Sequence, residues 1–252
     1  MLPTTQKILS IYFTAGYPTL NSTVFILEQL QANGVNLVEI GMPYSDPLAD
    51  GPVIQESSAA ALANGMSIKV LLAQLKNIRH TVHIPLVLMG YFNPILQYGV
   101  EAFLQQIKAI GINMVILPDM PLHVYTKTYK ALFNKYQVEN IFLITPNTSP
   151  ERILEIDNLT NAFIYAVSSS STTGNFEQSE NHKTNYFLRL KNMQLKNPVV
   201  VGFGINNNKT YVQACQHLQG GIIGTAFIKH LTLNINKPNF GIENFISTIK
   251  NN

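Results

Sequence analysis

Short apolar runs alternate with longer amphipathic segments along nearly the whole chain, and this alternation limits the fold more than any other feature. Segments such as STVFILEQLQANG, between the runs, carry apolar residues at the helical spacing of three and four. Repeated βα units in a chain of 252 residues predict a (β/α)8 TIM barrel of the α/β class. The eight runs, each bounded by Gly, Pro or Asn as buried strands are, are residues 8–15, 36–41, 85–90, 113–119, 140–145, 162–168, 198–204 and 220–225.

A doubly wound open sheet is the alternative architecture for the same alternation. Such a sheet would favour a glycine-rich fingerprint after the first strand, but FTAGYPTLNS contains a single glycine. No shift in composition marks a domain boundary. Residues 1–252 are therefore predicted to form one barrel domain.

The composition excludes several classes of protein. Hydrophobic residues make up 46% of the chain and charged residues only 12%, which excludes a disordered chain. The 17 basic residues are scattered, so no nucleic-acid partner is expected. The N-terminus lacks the pattern of a signal peptide, and no run approaches the roughly 20 apolar residues of a membrane span. A cytoplasmic protein with no membrane contact is expected.

The stretch VEIGMPYSDPLADGP (38–52) places carboxylates at the end of the second predicted strand. Alternation of side chains directs Val38 and Ile40 toward the helices and Glu39 into the barrel. Active sites of barrels lie at this end of the strands, and Asp50 is on the loop that follows. An apolar setting raises the pKa of an unpaired glutamate, so that it can give and take protons near neutrality. Glu39 is predicted to be catalytic; the alternative is a carboxylate that only accepts backbone N–H groups or pairs with an arginine.

The last two βα loops indicate a phosphate site. GFGINN (202–207) follows the seventh predicted strand, and GIIGTAFIK (221–229) contains the eighth. Barrels often bind phosphate there through backbone N–H groups and a helix N-terminus. Gly204 and Gly224 are predicted to let the backbone approach the anion, and Thr225 to cap the helix.

Metal and Schiff-base chemistry are not predicted. His80 and His83 have a spacing of three residues, but they precede the third predicted strand and so lie at the wrong end of the barrel. No lysine ends a predicted strand, which argues against a Schiff-base aldolase. No metal ligand is assigned.

Six motifs agree in order and spacing with those of one known family. They are VEIGMPYSDPLADGPVIQ (38–55), YFTAGYPT (12–19), LMGYFNPI (88–95), PDMP (118–121), GFGI (202–205) and GTAFIK (224–229). Through them the chain resembles the tryptophan synthase alpha chain family over nearly its whole length. The resemblance implies a TIM barrel that cleaves indole-3-glycerol phosphate to indole and glyceraldehyde 3-phosphate, in the last steps of L-tryptophan biosynthesis. It implies an α2β2 heterotetramer with the beta chain, pyridoxal phosphate in that partner only, and no cofactor in this chain.

The same resemblance assigns roles to residues. Glu39 would transfer protons with Asp50 as its partner, and Asp46 and Pro47 would meet the beta chain. The phosphate would be held by Gly174, Gly204, Gly224 and Thr225. The rest of the substrate would contact Tyr12, Leu88, Ile116, Leu143, Tyr165, Thr173, Phe203 and Ile222.

Two features depart from the family pattern. The family usually has a helix before the first strand, whereas only a few residues precede it here, so the bottom of the barrel is expected to be open or covered by another element. Ser169 and Ser171 stand where the loop after the sixth predicted strand usually carries an arginine and a glycine.

Two other functions remain open at this stage. The first is a non-catalytic subunit that only docks on and activates a beta chain. The second is a sugar-phosphate isomerase or epimerase. Its polar substrate would need polar groups where this chain has Tyr12, Leu88, Ile116 and Phe203.

Overall fold

The computed structural model describes residues 6–168 and 176–250. Its strands are apolar because helices cover one face and the barrel interior the other, as in parallel sheets generally. The strands are β1 Ile8–Thr14, β2 Leu37–Gly41, β3 Leu86–Met89, β4 Met114–Ile116, β5 Glu139–Ile141, β6 Leu143–Ile144, β7 Ile164–Val167, β8 Val199–Gly202 and β9 Gly220–Ile223.

Helices follow the strands and surround the sheet. A π-helical turn, Tyr125–Tyr129, joins α6 to α7. The α-helices are α1 Ser22–Ala32, α2 Pro52–Ala63, α3 Ile68–Leu75, α4 Phe92–Tyr98, α5 Val100–Ile110, α6 Leu122–Val124, α7 Lys130–Tyr136, α8 Pro150–Leu159, α9 Phe176–Asn192, α10 Asn208–His217, α11 Thr225–Leu233 and α12 Ile242–Lys250.

The strands form a nearly closed parallel barrel in the order β5-β4-β3-β2-β1-β9-β8-β7-β6. β1 pairs with β2, with Tyr12 opposite Glu39, and also with β9, with Ile8 opposite Gly220. The two ends of the sheet, β5 and β6, are consecutive in the chain and are separated only by Phe142. The predicted TIM barrel is confirmed and the open sheet is wrong, although the predicted fifth strand is two short strands.

Two apolar clusters lie on opposite faces of the sheet. The outer cluster packs between strands and helices and includes Val38 and Ile40, as alternation in β2 predicted. The inner cluster fills the barrel. Its buried members are Ile8, Tyr12, Leu37, Val87, Met114, Ile116, Ile141, Phe163, Tyr165, Val200 and Ile222.

The N-terminal end of the barrel is filled by side chains of the inner cluster. Ile8 and Leu37 begin their strands and Phe163 directly precedes β7, and all three are fully buried. Water therefore does not reach these side chains.

No single helix among the described residues has the length and apolar character of a membrane span. The segments Pro52–Ala63 and Ile68–His80 reach that length only jointly, and they bend by 83° at the break between them.

Candidate active site

Glu39 lies in the middle of β2 with its side chain inside the barrel. It is opposite Tyr12 of β1 and Val87 of β3, both members of the inner cluster. The side chain is fully buried. The predicted inward orientation of Glu39 is therefore confirmed, and two flanking strands fix its backbone.

The environment of Glu39 makes it a weaker acid than an ordinary glutamate. Burial raises the pKa of Glu39 to about 8, and the hydrogen bond from Ser10 opposes that rise. Ser10 Oγ donates to Glu39 Oε1 at 3.2 Å. Among the described residues, Glu39 Oε2 is buried without a hydrogen-bond partner. The alternative that Glu39 only accepts backbone N–H groups or pairs with an arginine finds no support in these contacts.

Asp50 occupies the loop after β2 and is only partly buried. Tyr91 OH donates to its Oδ2 at 3.2 Å and accepts from Ala49 N at 2.9 Å. Burial raises the pKa of Tyr91 to about 12, so the hydroxyl keeps its proton and remains a donor. Burial also raises the pKa of Asp50, while the Tyr91 bond lowers it.

A cavity of about 500 Å³ opens at the C-terminal end of the strands, a size typical of small-molecule sites. Its wall is largely apolar and aromatic, with Asp50, Asn206, Thr225 and Lys229 as its polar side chains. Glu39 does not line the cavity. Its neighbour Tyr12 does, together with Ile54, Met89, Tyr165, Phe203, Ile222 and the adjoining loop residues.

Two glycines make room for the two buried tyrosines of the cavity. A Cβ added at Gly41 would lie 2.2 Å from Tyr12 OH, and one added at Gly202 would lie 2.0 Å from Tyr165 OH. Because neither distance is tolerated, any larger residue at these positions would displace a ring. Both phenols remain neutral, since burial raises the pKa of each well above its ordinary value.

The loop after β8 is held in a left-handed conformation at two consecutive residues. Phe203 has φ of 63° and Gly204 has φ of 77°. Ser168, directly after β7, donates from its hydroxyl to the carbonyl of Phe203, which joins the ends of β7 and β8. The conformation at residue 204 favours glycine, which adopts a positive φ without steric cost. Phe203 is 41% exposed, so its ring forms part of the mouth.

The N-terminus of α11 reaches the cavity through Gly224, Thr225 and Ala226. The first-turn N–H groups of a helix have no partner within the helix. Gly224 occupies the N-cap position and Thr225 is the first helical residue, without a side-chain cap. The prediction that Thr225 caps the helix is wrong. Gly224 has a negative φ, and a Cβ there would lie 3.3 Å from the Tyr12 ring.

Leu88 does not face the predicted site. It is opposite Ile40 in the β2–β3 register, is fully buried, and belongs to the outer cluster against the helices. Met89, opposite Gly41, lines the cavity instead. The assignment of Leu88 as a substrate contact is therefore wrong, because it has the opposite strand phase.

Of the other predicted residues, Ile116 and Leu143 lie on the barrel interior. Ile116 is buried in the inner cluster and Leu143 packs against it, but neither lines the 500 Å³ cavity. Thr173 and Gly174, like Ser169 and Ser171, lie outside the described residues.

The loop that carries Asp50 also carries the predicted partner contacts. Asp46 is exposed and Pro47 is partly exposed, and Leu48 is 82% exposed. Gln55 Nε2 donates to the carbonyls of Asp50 and Pro47 at 2.9 and 3.3 Å. The same short segment thus has one end in the cavity and an apolar side chain directed to solvent.

Comparison with known proteins assigns the family. The family model described as tryptophan synthase alpha chain matches residues 3–251. The tryptophan synthase alpha chain of Flavobacterium psychrophilum is 58% identical over 229 residues, covering 91% of this chain and 90% of the relative. This chain belongs to the tryptophan synthase alpha chain family. The family's known function is the lyase reaction that cleaves indole-3-glycerol phosphate.

Solved structures of the tryptophan synthase alpha chain family share the fold. The alpha subunit from Legionella pneumophila superposes with a TM-score of 0.87 at 32% identity, covering 96% of this chain and 91% of that one. A chain of the tryptophan synthase complex from Pyrococcus furiosus gives 0.85 at 30% identity, covering 97% and 98%.

Several residues that shape this site were not predicted from the sequence. Met89 and Lys229 line the cavity, Tyr91 holds Asp50, and Ser10 holds Glu39. The polar Ser10 within the apolar run ILSIYFTA was a signal in the sequence, because a hydroxyl inside a buried strand needs a partner.

Proposed function

We propose that this chain cleaves indole-3-glycerol phosphate with Glu39 as the proton-transfer group and Asp50 as the group that stabilises the cationic intermediate. The observation that supports this assignment best is the buried carboxyl of Glu39, whose pKa is raised to about 8. A general acid–base group works best when its pKa lies near the operating pH. At neutral pH Glu39 therefore starts protonated.

The reaction needs one proton delivered and one removed. Protonated Glu39 gives its proton to C3 of the indole ring, which leaves positive charge on the ring nitrogen. Asp50 accepts a hydrogen bond from the ring N–H and stabilises that charge. Ionised Glu39 then takes the proton of the hydroxyl next to the scissile bond. The C3–C bond breaks, its electron pair restores the indole, and the oxygen becomes the aldehyde of glyceraldehyde 3-phosphate.

This assignment requires movement at the floor of the cavity. Glu39 does not line the cavity, whereas Tyr12 and Tyr165 do. Proton transfer demands a heavy-atom separation near 3 Å. The ring of Tyr12 or Tyr165 must therefore move aside when substrate binds, so that the substrate reaches the carboxyl of Glu39.

The phosphate end of the substrate is assigned to the loops after β8 and β9. Gly204, Gly224 and Thr225 line the cavity there, and free N–H groups at a helix N-terminus favour an anion. Lys229 lies one turn further along α11 and lines the same cavity. The flat indole ring then rests among Ile54, Met89, Phe203 and Ile222.

The partner in this proposal is a tryptophan synthase beta chain, in an α2β2 heterotetramer of the cytoplasm. One relative of similar fold was solved as a tryptophan synthase complex. Asp46 and Leu48, which are exposed, and Pro47, which is partly exposed, supply the docking loop. The retro-aldol chemistry uses side chains and the substrate alone, so no cofactor is assigned to this chain. The family resemblance is the ground on which pyridoxal phosphate is assigned to the partner.

The experiment is a direct assay of indole release from indole-3-glycerol phosphate by the purified chain, with and without a beta chain. Release by the chain, stimulated by the partner, is expected. Stimulation of the partner without any indole release would instead identify a non-catalytic subunit. Tight binding of indole-propanol phosphate, measured by calorimetry, separates this lyase from a sugar-phosphate isomerase or epimerase, which has no use for an indole pocket.

A further inference from the structure

Ser10 is a fully buried polar residue in the middle of β1. Its neighbours on the same face, Ile8 and Tyr12, belong to the inner cluster, so the hydroxyl points into the barrel. It reaches diagonally across the β1–β2 pair, where Ser10 is opposite Leu37 and Glu39 is opposite Tyr12.

The hydroxyl of Ser10 bonds to only one of the two carboxyl oxygens of Glu39. Ser10 Oγ donates to Oε1 at 3.2 Å, and Oε2 has no partner among the described residues. A serine hydroxyl has one proton to donate. When it is committed to Oε1, the proton that a neutral Glu39 carries lies on Oε2.

We propose that Ser10 is a positioning residue for the lyase reaction: it anchors Oε1 of Glu39 and so leaves Oε2 as the oxygen that exchanges protons with the substrate. The proposal rests on the proposed function of Glu39. A freely rotating carboxyl would present either oxygen to the substrate, with the proton on either one. It would therefore spend less time with a protonated Oε2 directed at the substrate.

Because few charged groups surround Glu39, the single bond from Ser10 has a large influence on the pKa of Glu39. Of the described side chains, the titratable ones that interact with Glu39 are Tyr12 on β1 and Tyr165 on β7, and Asp50 acts on the same two tyrosines. On β3 the facing residue is the apolar Val87. The bond from Ser10 lowers the pKa of Glu39 against the effect of burial. Removing the hydroxyl should therefore raise that pKa further.

The first test uses the substrate-free protein. Carbon-13 NMR of labelled glutamate side chains follows the titration of Glu39, assigned by loss of its signal in Glu39→Gln. In Ser10→Ala the midpoint should move to higher pH, and Ser10→Thr, which restores a hydroxyl, should move it back. Thr160→Val is the control, since Thr160 is also fully buried but its hydroxyl accepts from Ala162 N, away from Glu39.

The second test is kinetic, on the same variants. A hydrogen bond to a charged group is typically worth a tenfold to hundredfold change in equilibrium, so Ser10→Ala should lower kcat by about tenfold or more with little change in KM. The alkaline fall of the pH–rate profile should move to higher pH. Thr160→Val should change neither, and thermal melting confirms that each variant is folded.

An unchanged Glu39 midpoint in folded Ser10→Ala would overturn the proposal, and so would a shifted midpoint with unchanged kcat. These results differ from a failure of the proposed function. In that case the wild-type chain would release no indole at all, and the role of Ser10 would fall with it.

Discussion

Glu39 and Asp50 belong to the same βα unit, yet the fold holds them in different ways. Glu39 is fixed between two strands, fully buried, with one hydrogen bond from Ser10. Asp50 is on a loop, partly exposed, and its carboxylate is held by Tyr91. The group that must change its protonation state is built into the rigid sheet. The group that must only remain charged is on the segment that also faces solvent and a partner.

The largest effect is expected from Glu39→Gln. The amide cannot transfer a proton, so indole release should fall by at least about 10²–10⁴-fold while the barrel stays folded. Glu56→Gln, at an exposed position of α2, is the matched control and should keep full activity. Activity of Glu39→Gln within a few-fold of wild type would remove Glu39 from the mechanism.

A smaller loss, of about 10²-fold, is expected from Asp50→Asn, because a neutral amide stabilises a developing cation poorly. The loss should be in kcat more than in the binding of indole-propanol phosphate. If Asp50→Asn weakened analogue binding and left kcat intact, Asp50 would be a binding residue and the contrast with Glu39 would need revision.

Tyr91→Phe should have a moderate effect that separates the two carboxylates. It removes the hydroxyl bond to Asp50, and a hydrogen bond to a charged group is worth about tenfold or more, so kcat should fall by about that factor. Glu39 has no contact with Tyr91, so the alkaline limb near pH 8, which reports its pKa, should not move. Steady-state kinetics across pH 6 to 10 measure both quantities, and a shifted limb would show that the two sites are coupled.

The smallest expected effect concerns stability. The pKa of Glu39 is raised in the folded protein, so the folded state holds a proton that the unfolded chain releases above its ordinary pKa. The contribution of Glu39 to the free energy of unfolding is fully present at low pH and is lost as pH rises toward 8. Glu39→Gln should therefore be more stable than wild type, with a gain that grows from about pH 4.5 to about pH 8 and then levels off. Thermal melting would show this, and Asp50→Asn should show a weaker trend because Asp50 is partly solvated.

The inward position of Glu39 could be predicted, whereas that of Leu88 could not. In VEIG one polar residue between two apolar ones fixes the phase of the strand. In PLVLMG every residue is apolar, as parallel strands usually are, so the phase is not encoded in polarity. Only the register, with Leu88 opposite Ile40, assigns it to the outer face and brings Met89 into the site.

Contacts between distant segments were the other part that the sequence did not reveal. The bonds of Ser10 to Glu39 and of Tyr91 to Asp50 depend on how strands pair, which local propensity does not specify. The cap at Gly224 rather than Thr225 is an error of one residue, common at helix ends. That residues 1–252 form one domain remains a prediction, for which a single cooperative melting transition is the expected result.

Because β1 pairs with β9, the barrel around the active site can close only after β9 has been synthesised. At about 5–20 residues per second, β9 leaves the ribosome roughly 10–40 s after β1, and until then β1 has an open edge, which invites wrong pairing. Before closure the barrel interior beside Glu39 is open on the β9 side, so its pKa should lie closer to the ordinary value. NMR of a chain that stops short of β9 should therefore show a lower pKa of Glu39 than the complete chain has. The proton affinity that suits Glu39 to catalysis is therefore acquired only when the last strand arrives.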